Sequence, residues 1–489
     1  MVDERIDIPI LTPDCQNPQN PAIITAAEVI NYQQLAENVR QVAARLSSMG
    51  IGKNERCAIL SENSPAYIML LMAFWSSGVV AVPLNTRWPG DRISSQLKQL
   101  DCRGVFVSRK FAALLSPDNF HRIIIEDFFS PVGRGKIARE STVNQITGDR
   151  AATILYTSGS GGSPRAVLHT LGNHYYSALG SNQNIPVHSG DRWLLSLPLY
   201  HVGGLGILFR ALLGGGVVAV PTAEATLGEA VRNLAVSHVS LVSTQLYRLL
   251  RDKEMRSVIP RLRAVLLGGG PLPLKLIRRA TRLGYPLYVS YGLTEMASQV
   301  TTTRPGDDLE QLQTAGKVLP YRQIKISDEG EILVKGGTLF KGYVTSAGIY
   351  AARNADGWFP TGDLGEWDSE GNLRVIGRKD RMFISGGENI QPEEIERVLG
   401  QYEGVMESVV VPVRNEEFGA RPAAFLKMEA EKQLDPEKIR NFLNGKLPRF
   451  QIPDHFFPWP EEEVSSGIKA DRKYLQRLAE KALNLSDDE

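Results

Sequence analysis

The sequence predicts an α/β fold: a large N-terminal domain of parallel α/β sheets plus a small antiparallel barrel-like region, followed by a small α+β C-terminal domain. Three observations predict it. Over the first two-thirds of the 489 residues, short continuous apolar runs alternate with helical patterns, the signature of a largely parallel sheet covered on both faces. From Ile324 to Val375 the texture changes to short alternating strands separated by Asp328-Glu329-Gly330, Lys335-Gly336-Gly337, Asp356-Gly357 and Ser369-Glu370-Gly371, which reads as antiparallel hairpins. Beyond Gly377 helix and strand patterns mix again over about a hundred residues, enough for a small domain.

Each element has its own signal. Leu35, Val39, Val42 and Leu46 repeat at helical spacing, with Gly50 as a stop. Cys57 to Leu60 is a short apolar strand. Ala66 to Leu84 carries no charge for nineteen residues, close to a membrane span. Ser64-Pro65 starts a helix there, Ser76-Ser77-Gly78 interrupts it, and Val79 to Pro83 reads as a buried strand, so no membrane span is expected. Ala151 to Leu155, Leu194 to Leu197, Val217 to Val220, Val239 to Val242, Ala264 to Leu267 and Leu287 to Val289 are further strands. In the C-terminal part, Pro392 to Leu399 and Pro436 to Leu447 read as helices and Ser408 to Val413 as a strand.

Composition narrows the function classes. Lys+Arg 55 against Asp+Glu 54 leaves a net charge of +1, so no global field recruits nucleic acid or an anionic membrane. An anionic substrate must be held by local groups. Cys15, Cys57 and Cys102 form no disulfide framework and no CxxC pair, which favours a reducing, cytoplasmic setting. The opening residues show no secretory signal pattern. The seven histidines have no metal-ligand spacing with the cysteines.

The most informative segment is Tyr156 to Arg165. Thr157, Ser158, Gly159, Ser160, Gly161 and Gly162 follow a strand, and glycines at this density let successive backbone N–H groups converge on an anion while the hydroxyls add donors. Arg165 adds a charge able to pair with phosphate oxygens. No Gly-Lys-Ser/Thr closes the loop, so it is not a Walker A motif.

Four further segments follow in order: Tyr291-Gly292-Leu293-Thr294-Glu295 after a strand, Thr361-Gly362-Asp363 in a turn of the antiparallel region, Gly377-Arg378-Lys379-Asp380 at its end, and Gly467-Ile468-Lys469. In this order and spacing the chain resembles the adenylate-forming superfamily of acyl- and aryl-CoA ligases, firefly luciferase and peptide-synthetase adenylation domains, over essentially its whole length. The resemblance implies an ATP-dependent acid–thiol ligase that forms an acyl-adenylate and then a thioester of coenzyme A.

It also implies roles. The Thr157–Arg165 loop holds the β- and γ-phosphates, Glu295 binds Mg2+, Thr294 contacts the α-phosphate and Tyr291 belongs to the same motif. Asp363 accepts both ribose hydroxyls, Gly268, Gly269 and Gly270 let the backbone lie against adenine, and Arg378 sits near ribose and phosphates. Lys469, in the Lys-x-x-Arg spacing with Arg472, bridges carboxylate and α-phosphate and offsets charge during in-line attack. Asp380 is the hinge about which a mobile lid swings, with residues 1–376 as the ATP- and acid-binding domain, 377–380 as hinge and 381–489 as lid. Gly386 and Gly387 give passage to the pantetheine arm. Two departures stand out: the family's Thr-Thr-Gly-Lys-Pro-Lys is here Ser160-Gly161-Gly162-Ser163-Pro164-Arg165, and Ile468 splits the usual Gly-Lys pair.

Within the superfamily, Pro198 to Gly204, Leu84-Asn85-Thr86-Arg87, Leu267 to Pro273 and Thr294 to Gln299 resemble the 2-succinylbenzoate–CoA ligase family of menaquinone and phylloquinone biosynthesis. The implied substrate is an aromatic dicarboxylate, which needs an apolar slot and donors for its spectator carboxylate. His201 is the first candidate to line it, with Ser298 and Gln299 next. Arg87 and Arg210 rank lower because arginines more often lie along the surface, and His169 and His174 read equally well as structural. A benzoate-, coumarate- or fatty-acid-activating ligase, a carrier-protein-loading enzyme and a non-catalytic nucleotide binder are the competing readings. A homo-oligomer stays open.

Overall fold

Strands buried on both faces need helices above and below, and that requirement organises the chain. The structure is a computed structural model. It describes residues 17–115, 120–130, 147–157, 164–270, 272–430, 432–460, 471–483 and 485. Asn31 opens the first helix, Tyr32–Ser48, with a capping box: its Oδ1 accepts from Gln34 N at 2.7 Å and Gln34 Oε1 accepts from Asn31 N at 3.0 Å. Leu35, Val39, Val42 and Leu46 form its buried face, as their spacing predicts. Ser64 caps the helix Pro65–Ser77, Gly78 ends it at φ 76, and Val80–Pro83 follows as a fully buried strand. The uncharged stretch is therefore a core helix and a core strand. Among the described residues no helix is long and apolar enough to cross a membrane.

Two large sheets carry the N-terminal domain. An eight-stranded sheet runs in spatial order Gly348–Tyr350, Gly342–Thr345, Ala166–Thr170, Ala151–Tyr156, Val80–Pro83, Arg56–Leu60, Gly104–Val107 and Arg122–Ile124. A nine-stranded sheet runs Lys317–Val318, Ser298–Thr302, Leu287–Leu293, Ala264–Leu267, His238–Leu241, Arg192–Leu194, Val217–Ala219, Pro21–Ile24 and Val29–Asn31. Both are parallel at their centres, with antiparallel pairs toward their edges. Helices Tyr32–Ser48, Pro65–Ser77, Leu171–Asn184 and Val202–Leu213 contribute to the core shared by the two sheets. Other helices cover the outer faces. A four-stranded antiparallel sheet, Arg322–Ile326, Glu331–Gly336, Phe359–Trp367 and Leu373–Arg378, is the expected hairpin region.

The C-terminal domain is smaller. Its strands Val405–Asn415, Gly419–Met428 and His455–Pro458 form one sheet. Helices Pro392–Leu399 and Pro436–Leu443 pack into one core cluster and helix Arg472–Ala482 into a second. Arg472 locks the last helix down, donating to Val410 O and to Glu396 Oε2, both at 2.8 Å.

Local readings needed correction in four places. The strand expected over Leu194–Leu197 is Arg192–Leu194, because the chain leaves the sheet to meet Asn63. Asn63 Nδ2 donates to Leu197 O at 2.9 Å and its Oδ1 accepts from Leu199 N at 3.0 Å. The helix expected to Leu447 stops at Leu443, before Gly445 at φ +86. Thr361–Asp363 lies inside the strand Phe359–Trp367 rather than in a turn; Gly362, at φ +72, bends the strand from within. The strand before Glu295 runs on to Leu293, so Tyr291 is a strand residue.

Candidate functional site

In parallel α/β sheets ligands bind where strands end and loops begin, at the carboxyl edge. Here Ala151–Tyr156 ends at Thr157, Ala264–Leu267 ends at Gly268, and Leu287–Leu293 runs into the short turn Thr294–Met296. Ser158 to Ser163 and the segment with Gly467, Ile468 and Lys469 lie outside the described residues, as does Cys15. Arg472, at the end of the Lys-x-x-Arg spacing, is the anchor described above.

Around Glu295 the chain is held from several sides. Its backbone carbonyl accepts from Phe340 N at 2.7 Å, and its carboxylate Oε1 accepts from Tyr343 Oη at 2.7 Å. The Arg165 guanidinium lies 5.3 Å from the Tyr343 ring centroid, so Arg165 and Glu295 share one tyrosine. Burial pushes the Glu295 carboxyl up, against the Tyr343 hydrogen bond. A cation placed there would offset that cost. Among the described residues no group of three His, Cys, Asp or Glu could hold a metal, so one ion here would rely on Glu295 together with oxygens of its own ligand.

Asp363 and Arg378 form the next corner. Tyr291 Oη donates to Asp363 Oδ2 at 2.6 Å, and burial with the adjacent carboxylate holds that phenol well above its ordinary range. Arg378 Nη1 donates to Asp363 Oδ1 at 3.2 Å, and its Nε and Nη2 reach the two Asp380 oxygens at 3.0 and 3.1 Å. Burial works against the guanidinium charge, yet these two carboxylates raise its pKa overall. Gly362 is favoured by its φ of +72, and a Cβ there would sit 2.9 Å from Arg378 Nη2, so the guanidinium would have to shift. Gly268 is likewise confined, since a Cβ there would lie 2.9 Å from Ser290 Oγ; Gly269 has φ +86 and Gly270 faces open space. In the C-terminal domain Gly386 and Gly387, at φ +58 and +87, are the two central residues of the hairpin joining Phe383–Ser385 to Glu388–Ile390.

A second constellation surrounds the turn Ala297–Ser298, where two non-glycine residues take φ +53 and +126. Such strain persists only where neighbours impose it. Ser177 Oγ donates to Ala297 O at 2.8 Å, Arg322 Nε donates to Gln299 O at 2.6 Å, and Arg322 Nη2 reaches Ser177 O at 2.8 Å. Gln299 is buried, its Oε1 accepting from Ser181 Oγ at 2.7 Å and Arg210 Nη1 at 3.0 Å. Arg210, expected at the surface, is only 1% exposed. Its guanidinium stacks 4.7 Å from the Trp193 ring centroid and its Nε has no hydrogen-bond partner among the described residues. Burial pushes its pKa down to about 9. Gly206 separates it from Ser298: a Cβ on Gly206 would lie 3.1 Å from Arg210 Nη1 and 3.2 Å from Ser298 Oγ.

The remaining sequence candidates separate clearly. His201 is half-buried at the N-cap of helix Val202–Leu213, its ring 4.7 Å from that of Tyr200. Arg87 is exposed, and no described hydrogen bond or ion pair joins it to Ser298, Gln299 or His201. His169 and His174 are buried: His169 Nε2 meets Thr294 O at 2.7 Å and His174 Nε2 meets Thr153 Oγ1 at 2.8 Å. Cys57 and Cys102 are free thiols that burial pushes up to about 12, so neither is poised as a nucleophile.

Set beside known proteins, residues 14–344 match the AMP-binding enzyme family, and residues 394–463 match its C-terminal domain. The chain belongs to the AMP-binding enzyme family. The 2-succinylbenzoate–CoA ligase of Listeria monocytogenes serotype 4b (strain F2365) is 33% identical to it over 440 residues, covering 89% of this chain and 92% of that one. Among solved structures, the o-succinylbenzoate CoA synthetase (MenE) from Bacillus subtilis in complex with the acyl-adenylate intermediate OSB-AMP superposes with a TM-score of 0.84 at 30% identity, over 96% of this chain and 97% of that one. The same B. subtilis enzyme in complex with ATP and magnesium ion gives a TM-score of 0.83 at 29% identity, over 95% and 98%. The two-domain α/β fold and the membership in this family of acid-activating enzymes follow from the resemblance in full.

Proposed function

We propose that this chain is an ATP-dependent 2-succinylbenzoate–CoA ligase of the cytoplasm, serving menaquinone or phylloquinone biosynthesis. A substrate carboxylate oxygen attacks the α-phosphorus of ATP, the bond to pyrophosphate breaks, and an acyl-adenylate forms. The sulfur of coenzyme A then attacks the acyl carbon, AMP leaves with the bonding electrons, and the thioester is released. Thr157, Arg165 and the loop between them hold the terminal phosphates, Thr294 contacts the α-phosphate, and Glu295 would hold a Mg2+ that would supply charge neutralisation for the phosphates. Asp363 accepts the ribose hydroxyls, Arg378 holds its carboxylate in place, and Gly268–Gly270 lie against adenine. Lys469 offsets the charge that grows on the carboxylate and α-phosphate. The C-terminal domain turns about Asp380 between the two half-reactions and brings the Gly386–Gly387 hairpin to the pantetheine arm.

The observation that carries the choice of acid is Arg210, a buried guanidinium with an unpartnered Nε beside Ser298 and Gln299. An uncompensated buried cation is costly, and a second carboxylate on the substrate would compensate it. His201 and the neighbouring apolar helix would border the aromatic ring. The test is pyrophosphate release with ATP, Mg2+ and coenzyme A across aromatic dicarboxylates, simple benzoates and fatty acids. Strong release with 2-succinylbenzoate alone is the expected result. A strong response to a monocarboxylate with none to 2-succinylbenzoate overturns this reading and moves the chain to a different acyl- or aryl-CoA ligase.

A further inference from the structure

We propose that His169 is a positioning residue for the ATP-dependent step, pinning the Thr294–Glu295 turn to the strand that leaves the phosphate loop. The inference rests on the ligase reading above. Nucleotide groups come from two separate sheets: Thr157 and Arg165 flank a loop of the eight-stranded sheet, while Thr294 and Glu295 continue a strand of the nine-stranded one. Their relative placement depends on bonds across the seam. His169 lies on the strand Ala166–Thr170, four residues beyond Arg165, fully buried, and its Nε2 sits 2.7 Å from Thr294 O. A carbonyl only accepts, so Nε2 carries the proton and donates.

The bond falls where it fixes the turn. Thr294 O also accepts from Ala297 N at 3.0 Å, closing Thr294–Met296. Glu295 is held by the adjoining strand of the same sheet, through Tyr343, which pairs in register with Val167. His169 thus fixes the first residue of the turn and Tyr343 the second. The cost is visible at the other ring nitrogen: Nδ1 is buried with no partner among the described residues. Each such buried orphan calls for an explanation, and orientation of the Nε2 donor supplies one. Burial lowers the ring pKa to about 4, which keeps the donor neutral and constant at working pH.

The test separates the half-reactions. Variants H169L, H169N and H169Q are compared in acid-dependent pyrophosphate exchange, in thioester formation from supplied 2-succinylbenzoyl-adenylate and coenzyme A, and in Mg-ATP affinity by calorimetry without any acid. Leucine removes the donor. Asparagine keeps a polar amide but places it at the Nδ1 position, and glutamine restores a donor at the Nε2 position. The expected result is an adenylation rate lowered about 10- to 100-fold in H169L and H169N, as for a small misplacement of reacting groups. Mg-ATP affinity should weaken in parallel, thioester formation should change little, and H169Q should recover most of the loss. Equal losses in both half-reactions, no loss in H169N, or no recovery in H169Q overturns the proposal. If H169L does not fold, the asparagine–glutamine pair decides. A wild type that exchanges pyrophosphate with no acid sinks the ligase reading, while the Mg-ATP affinities still judge His169.

Discussion

At the Asp363 corner Arg378 meets two carboxylates, at 3.2 Å and at 3.0 and 3.1 Å, whereas beneath the Ala297–Ser298 turn no described carboxylate pairs with Arg210 or Arg322. The carboxylates raise the Arg378 pKa despite partial burial. Burial pushes Arg210 and Arg322 down to about 9, and for Arg322 the like charge of Arg210 adds to the effect. Three arginines in one domain thus sit in opposite electrostatic settings. Where the charge is answered within the chain, its work is to hold another group in place, here the carboxylate of Asp363. Where it is not, the fold carries a cost that an incoming anion can remove. Arg322 spends its charge on backbone carbonyls and Ser177. Arg210 keeps its Nε without a hydrogen-bond partner among the described residues.

The sharpest way to break this contrast is Arg210→Met. Loss of a buried, hydrogen-bonded charge partner typically costs 2–5 kcal/mol of binding, so kcat/KM for 2-succinylbenzoate should fall by about 100-fold or more. The KM for ATP should hardly move, since among the described residues no hydrogen bond or ion pair joins Arg210 to Thr157, Arg165, Thr294, Glu295, Asp363 or Arg378. The unliganded fold should be no less stable, because an apolar side chain replaces an uncompensated charge. Steady-state kinetics with thermal denaturation checks all three. A marked loss of stability with unchanged acid kinetics would make Arg210 a structural arginine like Arg322.

A smaller effect concerns the buried pair His169 and His174, whose ring centroids lie 5.0 Å apart. His169 titrates at about 4 in the fold against 6.5 for an exposed histidine, because burial disfavours its charged form. His174, stacked on Phe209 next to Arg210, is lowered in the same direction. The sign follows from proton counting. Below pH 6.5 the unfolded chain binds a proton at His169 that the folded chain refuses, so the stability is present above pH 6.5 and lost as pH falls toward 4. That shift is worth about 3 kcal/mol at most. Chemical denaturation of wild type and H169Q from pH 7 to 4.5 should show the wild type losing more stability, the difference appearing only below about pH 6.5. Parallel pH profiles would mean that burial does not lower the His169 pKa in the fold.

Much of the fold was legible because its signals are local. The capping box at Asn31, the Ser64-Pro65 start and the apolar strands Arg56–Leu60 and Ala264–Leu267 need only neighbours in sequence. The residues of the Asp363 corner stood out through motif order, although Tyr291 donating to Asp363 and Arg378 reaching both Asp363 and Asp380 are pairings that only folding creates. The surroundings of Arg210 were the least legible part. Arg210 sits in an apolar helix whose pattern gives no clue that its head lies against Trp193 and Gln299. A general rule about surface arginines therefore pointed outward, whereas Arg210 is 1% exposed. One signal was available: a lone arginine within Val202–Leu213, otherwise uncharged, has no neighbour in its own helix to answer it. His169 was weighed equally as a pocket and as a structural histidine, and its bond to Thr294, 125 positions away in sequence, is a pairing that only folding creates.

The smallest effect tests whether the answered charge of Arg378 depends on the backbone that presents it. Gly362 and Gly387 both have left-handed backbones, at φ +72 and +87, so an alanine at either position pays about 1–2 kcal/mol of conformational strain. They differ in surroundings. A Cβ on Gly387 meets nothing within 4 Å, while one on Gly362 lies 2.9 Å from Arg378 Nη2 and 3.2 Å from its Cζ. Gly387→Ala should therefore lower thermal stability without altering the KM for ATP in pyrophosphate exchange. Gly362→Ala should lower it by a similar amount and also raise that KM, because the guanidinium must shift off Asp363 to make room. The flexible end of an arginine yields more easily than backbone, which keeps the stability difference between the two variants small and places the contrast in the kinetics. If both alanine variants bind ATP equally well, the Arg378–Asp363 contact does not set the position of the carboxylate proposed to accept the ribose hydroxyls, and the Tyr291 hydrogen bond suffices to hold it.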